Sequence, residues 1–323
     1  MQTQKSPIRT AVVGVGYLGR FHAQKFSQLS QSELVGVVDN DEAGRNAVAE
    51  ELNVKGFANV EDIIDVVDAV SIATPTITHH SIARSFLERG IHTLVEKPIT
   101  ATLEEADELI ELASQNGCLL QVGHMQRFHP ALLDLGERLH EPRFIESHRL
   151  APFNPRGTDV DVVLDLMIHD LDIVLNLVDA EVSRVSANGA CVVSDSIDIA
   201  NARIDFTNGC AANITASRVS NKTERKMRVF QRHRCLSADL YNHKLDDYAR
   251  VDGSENDEWP KIERYTTEYE QHDALLSQIE AFLHSILNQK QPLVAGRDGR
   301  RALATAMQIT DLIGAELNVE SSQ

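Results

Sequence analysis

Three glycines near the start of the chain constrain its fold more than any other feature. Gly14, Gly16 and Gly19 follow the apolar segment Ile8–Val13 and precede an amphipathic segment of helical period. In a G-x-G-x-x-G pattern the first glycine makes a tight turn, the second lets the backbone approach a pyrophosphate, and the third lets a helix pack on the strand. The pattern predicts a strand-turn-helix unit that binds a dinucleotide at the helix N-terminus, with a tight turn that binds nothing as the alternative. The candidate cofactor residues of this turn are Gly14, Gly16, Tyr17, Leu18 and Gly19.

An acidic residue follows at the end of the second predicted strand. Asp39 lies 20 residues after Gly19, a spacing at which a carboxylate accepts hydrogen bonds from the adenosine ribose. Its charge would repel the 2′-phosphate of NADP, so the sequence favours NAD. Arg45 keeps NADP open as the less favoured alternative.

The spacing of apolar segments divides the chain of 323 residues into about two domains. Short β-branched runs alternate with amphipathic segments over residues 1–123, which is typical of a doubly wound parallel sheet in a Rossmann domain. Over residues 124–323, one long apolar helix is followed by alternating segments separated by Asn-Gly turns. That pattern predicts a second, α+β domain with a large, open, mainly antiparallel sheet.

Charge and cysteine content exclude several classes of protein. The net charge of −17 argues against partners with an anionic surface, so we expect neither nucleic acid nor membrane as a partner. The four cysteines form no C-x-x-C pair, which is typical of a reducing compartment. No stretch approaches the roughly 18 apolar residues of a membrane span. We therefore expect a cytoplasmic protein without an export signal.

Candidate catalytic chemistry begins where the fourth predicted strand ends. Glu96, Lys97 and Pro98 lie at the carboxyl edge of the predicted sheet, where open α/β sheets bind ligands. Lys97 would point into the cofactor crevice, and a solvated strand-end lysine is the alternative. The loop after the preceding strand, which contains Thr74 and Pro75, lies at the same edge, and His79 and His80 begin the helix that follows it. Histidines at a helix start are more typical of caps or surface residues than of ligands, so we expect them to be neighbours of the cofactor only. The candidate cofactor neighbours at this edge are therefore Thr74, Pro75, His79, Glu96 and Lys97.

Residues 160–178 form the most informative predicted helix. At about 100° per residue, its polar side chains share one narrow stripe and the rest of its circumference is apolar except for Asp170. Such a helix should be buried with its stripe facing a cleft, although a narrow solvent stripe is the alternative. Asp165 and His169 are four residues apart, so the carboxylate can orient the imidazole. A metal site would need further ligands that are not evident, and we predict none.

Three motifs occur in the same order as in the Gfo/Idh/MocA oxidoreductase family: the glycine turn, Glu96-Lys97-Pro98 and the helix that carries Asp165 and His169. The chain resembles that family from Ile8 to about Leu303. The resemblance implies a Rossmann domain that binds NAD(P), and a C-terminal domain whose open sheet carries substrate and oligomer contacts. It implies a sugar, cyclitol or nucleotide-sugar substrate and a homodimer or homotetramer assembled through that sheet. It also places Thr74, Pro75 and Glu96 beside the nicotinamide and its ribose, and assigns catalytic roles to Lys97, Asp165 and His169.

One departure from the family bears on the substrate. Many members carry a glycine pair shortly before the catalytic aspartate, where this chain has Val160 and Asp161. This argues against a free cyclitol or monosaccharide, and residues 166–170 are similar to a subgroup that includes UDP-N-acetylglucosamine 3-dehydrogenases, which serve lipid A synthesis. The alternatives are a free-sugar or cyclitol dehydrogenase, an enzyme that oxidises its substrate transiently, and a non-catalytic NAD-sensing regulator.

We expect substrate to bind between the Lys97 edge and the polar stripe of the helix. The candidate substrate residues are Lys97, Arg127, Asn154, Arg156, Asp165 and His169.

A basic segment interrupts the acidic chain between residues 222 and 234, with six basic residues and one acid. It could receive a nucleotide diphosphate or an acidic surface of a sister subunit. A solvated strand face with edge-protecting charges is the alternative. The basic residues are Lys222, Arg225, Lys226, Arg228, Arg232 and Arg234.

Overall fold

The computed structural model describes residues 6–154, 160–251 and 259–320. Contacts between residues divide the chain into two units. The first comprises Met1–Met125 and Asp273–Arg300, and the second comprises Gln126–His272 and Arg301–Gln323.

The first unit is built on a six-stranded parallel sheet in the order β3-β2-β1-β4-β5-β6. Strand order reverses between β1 and β4, and open α/β sheets bind their ligands at the carboxyl ends beside such a reversal. The strands are β1 (Ile8–Val13), β2 (Ser32–Val38), β3 (Lys55–Phe57), β4 (Ala69–Ile72), β5 (His92–Glu96) and β6 (Leu120–Gly123). The Rossmann sheet predicted from the sequence is confirmed.

Four helices connect these strands. They are α1 (Tyr17–Gln28), α2 (Glu42–Leu52), α3 (His79–Leu87) and α4 (Leu103–Gln115). Local sequence fixes where α4 begins, because the Thr102 side chain accepts from the N–H of Glu105 while the Glu105 side chain accepts from the N–H of Thr102.

A later helix, α7 (Ala274–Asn288), also packs in the first unit. Its buried Leu275, Ile279 and Phe282 share a core with Ala23 and Phe26 of α1. The sequence division assigned this segment to the second domain, because an apolar helical face does not reveal which core it enters.

The second unit contains an eight-stranded sheet in the order β14-β13-β12-β11-β7-β10-β9-β8. Only the pair β7 and β10 is parallel among these neighbours, so the mainly antiparallel sheet predicted from the sequence is confirmed. The strands are β7 (Phe144–Leu150), β8 (Val182–Ala190), β9 (Ile199–Phe206), β10 (Ala211–Ser217), β11 (Glu224–Gln231), β12 (Arg234–Asp239), β13 (Lys244–Val251) and β14 (Lys261–Glu268).

One face of this sheet is covered by helices α5 (Pro130–Arg138), α6 (Ile168–Leu177) and the later part of α8 (Gly296–Glu320). Helix α6 packs on β7 and β10, and α5 packs on β12 and β13. The side chains between these layers are mainly apolar and alternate with polar ones on the opposite face, as expected for a sheet with one face in the core. Across the described residues, no helix has the length and apolarity that a membrane crossing requires.

Candidate cofactor and active site

The glycine turn has a shape that its own packing explains only in part. A side chain at Gly14, where φ is +81°, would place Cβ 2.6 Å from Cγ2 of Thr74, and a Cβ at Gly19 would lie 1.8 Å from the carbonyl oxygen of Gly14. These two glycines are required by the fold itself. A Cβ at Gly16 meets no protein atom within 4 Å, so the space above this residue is open.

The start of α1 is suited to an anion. Gly16 is its N-cap and provides no side-chain hydrogen bond, and no acidic residue lies in the first turn. The first N–H groups of a helix have no intrahelical partner and attract phosphate. Tyr17 and Leu18 lie in this turn, with the Tyr17 ring exposed against Phe21. The open space at Gly16 and the uncapped helix fit the pyrophosphate of NAD.

Asp39 is tied to this turn by its carboxylate. One carboxylate oxygen accepts from the N–H of Val15 at 2.8 Å and the other accepts from the N–H of Asp41 at 2.9 Å. Each oxygen has further lone pairs, so the group can still accept from ribose hydroxyls. Nη1 of Arg45 donates to the carbonyl oxygen of Asp39 at 2.8 Å, which places the guanidinium close to this residue.

The loop after β4 is joined to the loop after β5 by a buried histidine. Both ring nitrogens of His79 lie 2.9 Å from backbone oxygens, Nε2 from that of Thr74 and Nδ1 from that of Pro98. The hydroxyl of Thr78 donates to that of Thr74. His79 therefore positions Thr74 and its neighbour Pro75, and its ring is occupied by these contacts.

Lys97 is half-buried directly after β5. The carboxylate of Glu96 points into the unit: Oε1 lies 3.2 Å from Nε2 of His22, and Oε2 accepts from the N–H of Lys97 at 3.2 Å. Nδ1 of His22 lies 2.8 Å from the hydroxyl of Ser71. His22 was not among the predicted site residues, because its only sequence signal is a polar ring on the packed face of α1.

The surroundings of Glu96 keep it ionised. Burial alone would raise the pKa of this carboxyl, but the adjacent ring of His22 lowers it, and the N–H and charge of Lys97 add to that effect. The net result is a pKa below the ordinary value for glutamate. Lys97 is therefore held beside a buried negative charge.

In the second unit, the predicted helix begins in a different form. Residues Val163–Met167 make a π-helix, and the α-helix α6 starts at Ile168. A wheel of constant pitch could not show this wider turn, a feature that is frequent at functional sites. Asp165 lies in the π-helix and His169 in the first turn of α6, and both are half-buried.

Other polar residues of the stripe have structural partners. Arg127 donates from Nη1 to Asp172 at 3.3 Å and from Nη2 to Asn176 at 2.6 Å, and its side chain is buried. The N–H of Ile197 donates to Asp161. The guanidinium of Arg127, which we expected to contact substrate, therefore lies against α6.

Asp170, the exception on the apolar arc, has buried partners. Its carboxylate accepts from the hydroxyl of Ser147 at 2.8 Å and pairs with the guanidinium of Arg149. An acid within an apolar arc indicates a buried partner, but the sequence does not reveal which residue it is. Of the other expected substrate residues, Asn154 is exposed and Arg156 lies outside the described residues.

Comparisons with known proteins match both units. Residues 8–124 match the Gfo/Idh/MocA oxidoreductase family with an NAD-binding Rossmann fold, and residues 138–235 match the C-terminal domain of the same family. The chain is 42% identical to the UDP-N-acetylglucosamine 3-dehydrogenase of Acidithiobacillus ferrooxidans over 96% of this chain and 98% of that protein. It is 28% identical to the scyllo-inositol 2-dehydrogenase (NAD(+)) of Bacillus subtilis over 94% and 93% of the two chains.

Solved structures give the same result. The A. ferrooxidans enzyme superposes with a TM-score of 0.90 over 95% of this chain and 98% of that one. The scyllo-inositol dehydrogenase of Lactobacillus casei, solved with NAD(H) and scyllo-inositol, is 21% identical with a TM-score of 0.81 over 96% and 98% of the chains, and it shares the fold.

Proposed function

The chain belongs to the Gfo/Idh/MocA family of NAD-binding oxidoreductases, and from this premise we propose that it oxidises the 3-hydroxyl of UDP-N-acetylglucosamine to the 3-keto sugar. The observation that carries this proposal is the 42% identity, over nearly the full length of both chains, to an enzyme with that activity. Val160 and Asp161 support it, because many family members carry a glycine pair at these positions and the departure argues against a free cyclitol or monosaccharide.

We assign the proton chemistry to Lys97, Asp165 and His169. Removing a proton from a secondary alcohol requires a base whose pKa is near neutral and a positive group beside the developing alkoxide. His169 supplies an imidazole as the base, Asp165 fixes its tautomer, and Lys97 provides the positive charge. The exchanged assignment, with Lys97 as the base, is the alternative. Bound NAD would accept the hydride that leaves the sugar carbon.

The residues assigned to the cofactor are those of the glycine turn, Asp39 and the loops after β4 and β5. The open space at Gly16 would receive the pyrophosphate, and Asp39 would accept from the ribose hydroxyls. His79 and Glu96 act by holding these loops, since their polar atoms already contact protein groups.

We also propose a cytoplasmic homodimer or homotetramer that assembles through the eight-stranded sheet and serves lipid A synthesis. The exposed apolar side chain of Ile262 on the edge strand β14 supports an assembly surface on this sheet. Light scattering coupled to gel filtration would measure the oligomer, and a monomer at micromolar concentration would contradict this part.

Net formation of NADH with a panel of substrates tests the proposed activity. UDP-N-acetylglucosamine should support turnover, whereas N-acetylglucosamine and myo-inositol should give far less. Preferred turnover of myo-inositol would instead establish the cyclitol alternative, which the similarity to inositol dehydrogenases favours. NADH that forms without accumulating would indicate transient oxidation.

A further inference from the structure

The basic segment of residues 222–234 is split between the two faces of the sheet. Lys226 and Arg228 lie on the outer surface of β11, together with Glu146, His148 and Glu224. Acids neutralise much of this surface, because Arg228 pairs with Glu146 and Lys222 pairs with Glu224. These outward residues have the partners expected of a solvated strand face.

Arg225 lies on the opposite face of the same strand. Side chains alternate along a strand, so Arg225 shares its face with Met227 and Val229, which are fully buried in the core of the second unit. Across the ladder it is paired in register with Arg149 of β7. Two guanidinium groups therefore lie side by side on the helix-covered face.

The carboxylate of Asp170 lies near these two arginines, and it already forms an ion pair with Arg149. Both members of this pair are buried. Arg225 is exposed, and among the residues that the structure describes no side chain forms an ion pair with it. Partial loss of hydration beside its neighbours lowers the pKa of Arg225 despite its exposure, and the charge of Arg149 lowers it further, while Asp170 partly offsets both. This guanidinium would gain from an added anion.

The packing of the helices places the strand that carries Arg225 beneath the interval between α5 and α6. Helix α6 lies over β7 and β10 and α5 lies over β12 and β13, so β11 runs beneath the interval between them. Arg127, three residues before α5, donates to Asp172 and Asn176, so this part of the polar stripe of α6 lies toward the start of α5. Asp170, adjacent in sequence to His169, contacts the arginine paired with Arg225.

We propose that Arg225 binds the diphosphate of a nucleotide-sugar substrate. The proposal rests on the proposed function and deepens it, because a free sugar or cyclitol has no group for this arginine. The planar guanidinium offers two parallel donors to phosphate oxygens, a geometry that lysine cannot reproduce.

Binding of UDP to the NAD-saturated protein, measured by titration calorimetry, tests the proposal without requiring turnover. Arg225→Ala should weaken UDP binding about 10- to 100-fold, the range expected for charge-assisted hydrogen bonds, and Arg225→Lys should recover part of it. KM for UDP-N-acetylglucosamine should rise by a similar factor, with a smaller change in kcat. Arg228→Ala, on the outer face of the same strand, is the matched control and should bind UDP like the wild type.

The outcomes separate this proposal from the activity it rests on. If the wild type binds UDP and Arg225→Ala binds it equally well, Arg225 is not the diphosphate site while the proposed activity stands. If the wild type neither binds UDP nor oxidises UDP-N-acetylglucosamine, both proposals fail. Loss of NAD affinity in Arg225→Ala would also overturn the assignment, since it would place the arginine at the cofactor.

Discussion

Nε2 of His22, in the second turn of α1, lies 3.2 Å from Oε1 of Glu96 at the end of β5. Both side chains are buried, and the same carboxylate accepts from the N–H of Lys97. A buried carboxylate requires compensating charge and hydrogen bonds. The pair thus joins the helix of the glycine turn to the lysine that we assign to catalysis.

Glu96→Gln should remove a pH-dependent contribution to the free energy of unfolding. The pKa of Glu96 in the folded protein is below its ordinary value of 4.5, so its charge stabilises the fold above about pH 4.5 and this contribution is lost as the pH falls through the folded pKa. Urea unfolding should show the wild type more stable than Glu96→Gln at pH 7, with a difference that shrinks toward pH 3. Glu137→Gln, on the exposed surface of α5, is the control. A difference that stays constant with pH would contradict a role for the charge.

Gly123→Ala should disturb the same carboxylate from the neighbouring strand. A Cβ at this position would lie 2.4 Å from Oε1 of Glu96, so the acid or the strand must shift. We expect a loss of about 1–3 kcal/mol of stability, as in other overpacked cores, together with reduced turnover. Gly314→Ala is the matched control, because its Cβ would meet no atom within 4 Å and alanine favours the helix. Equal unfolding free energies for Gly123→Ala and the wild type would show that the strand yields freely.

Substitutions in the glycine turn should separate effects on folding from effects on cofactor binding. Gly16→Ala should leave thermal stability nearly unchanged and raise KM for NAD at least about tenfold, because the added methyl group would occupy open space that the pyrophosphate needs. Gly14→Ala should instead lower the melting temperature, since it combines positive φ with a contact of 2.6 Å to Thr74. Normal NAD affinity in Gly16→Ala would show that the phosphates lie elsewhere.

The parts of the fold that could be predicted from the sequence are those set by local chemistry. The glycine turn could be predicted because each glycine is needed for a tight turn, an open space or close packing within a few residues. The parallel sheet could be predicted because β-branched runs recur between helical segments. The pairing of Arg127 with Asp172 could not be predicted, since these residues are 45 positions apart and no pattern links them. The same holds for His22 and Glu96.

The assumption of a regular helix was the other limit on what could be predicted from the sequence. A helical wheel assumes one pitch, so it placed Asp165 and His169 on one stripe without revealing the π-helix that carries Asp165. The wheel also treated the whole stripe as available for chemistry. In the structure Arg127 occupies two of its members, Asp172 and Asn176.

Cofactor choice should depend on the charge of Asp39. Asp39→Ala should raise the ratio of kcat/KM for NADP to that for NAD about tenfold or more, because a charge-assisted hydrogen bond is worth about 1.5–3 kcal/mol. Asp39→Asn separates the effect of charge from that of the tether to Val15 and Asp41, since it keeps the shape. Equal use of both cofactors by the wild type would show that this interpretation of Asp39 is wrong.

The assigned catalytic residues should affect turnover more than cofactor binding. A positioned acid or base typically contributes about 10²–10⁴-fold, so Lys97→Ala and His169→Ala should each lower kcat by about that factor with UDP-N-acetylglucosamine. NAD affinity, measured by fluorescence, should change little. Asp165→Asn should cost less than His169→Ala, because it disturbs the orientation of the imidazole without removing the base.

The pH dependence of the two variants distinguishes whether His169 or Lys97 is the base. If His169 is the base, His169→Ala should abolish the acidic limb of the profile of kcat/KM against pH, since that limb reports the protonation of the essential base in the free enzyme. Lys97→Ala should then lower the whole profile while leaving the limb in place, because Lys97 stabilises the alkoxide at every pH. The limb would disappear in Lys97→Ala and persist in His169→Ala if the roles are exchanged. Near-normal turnover in Lys97→Ala would remove this lysine from the mechanism and leave it a solvated residue at the end of β5.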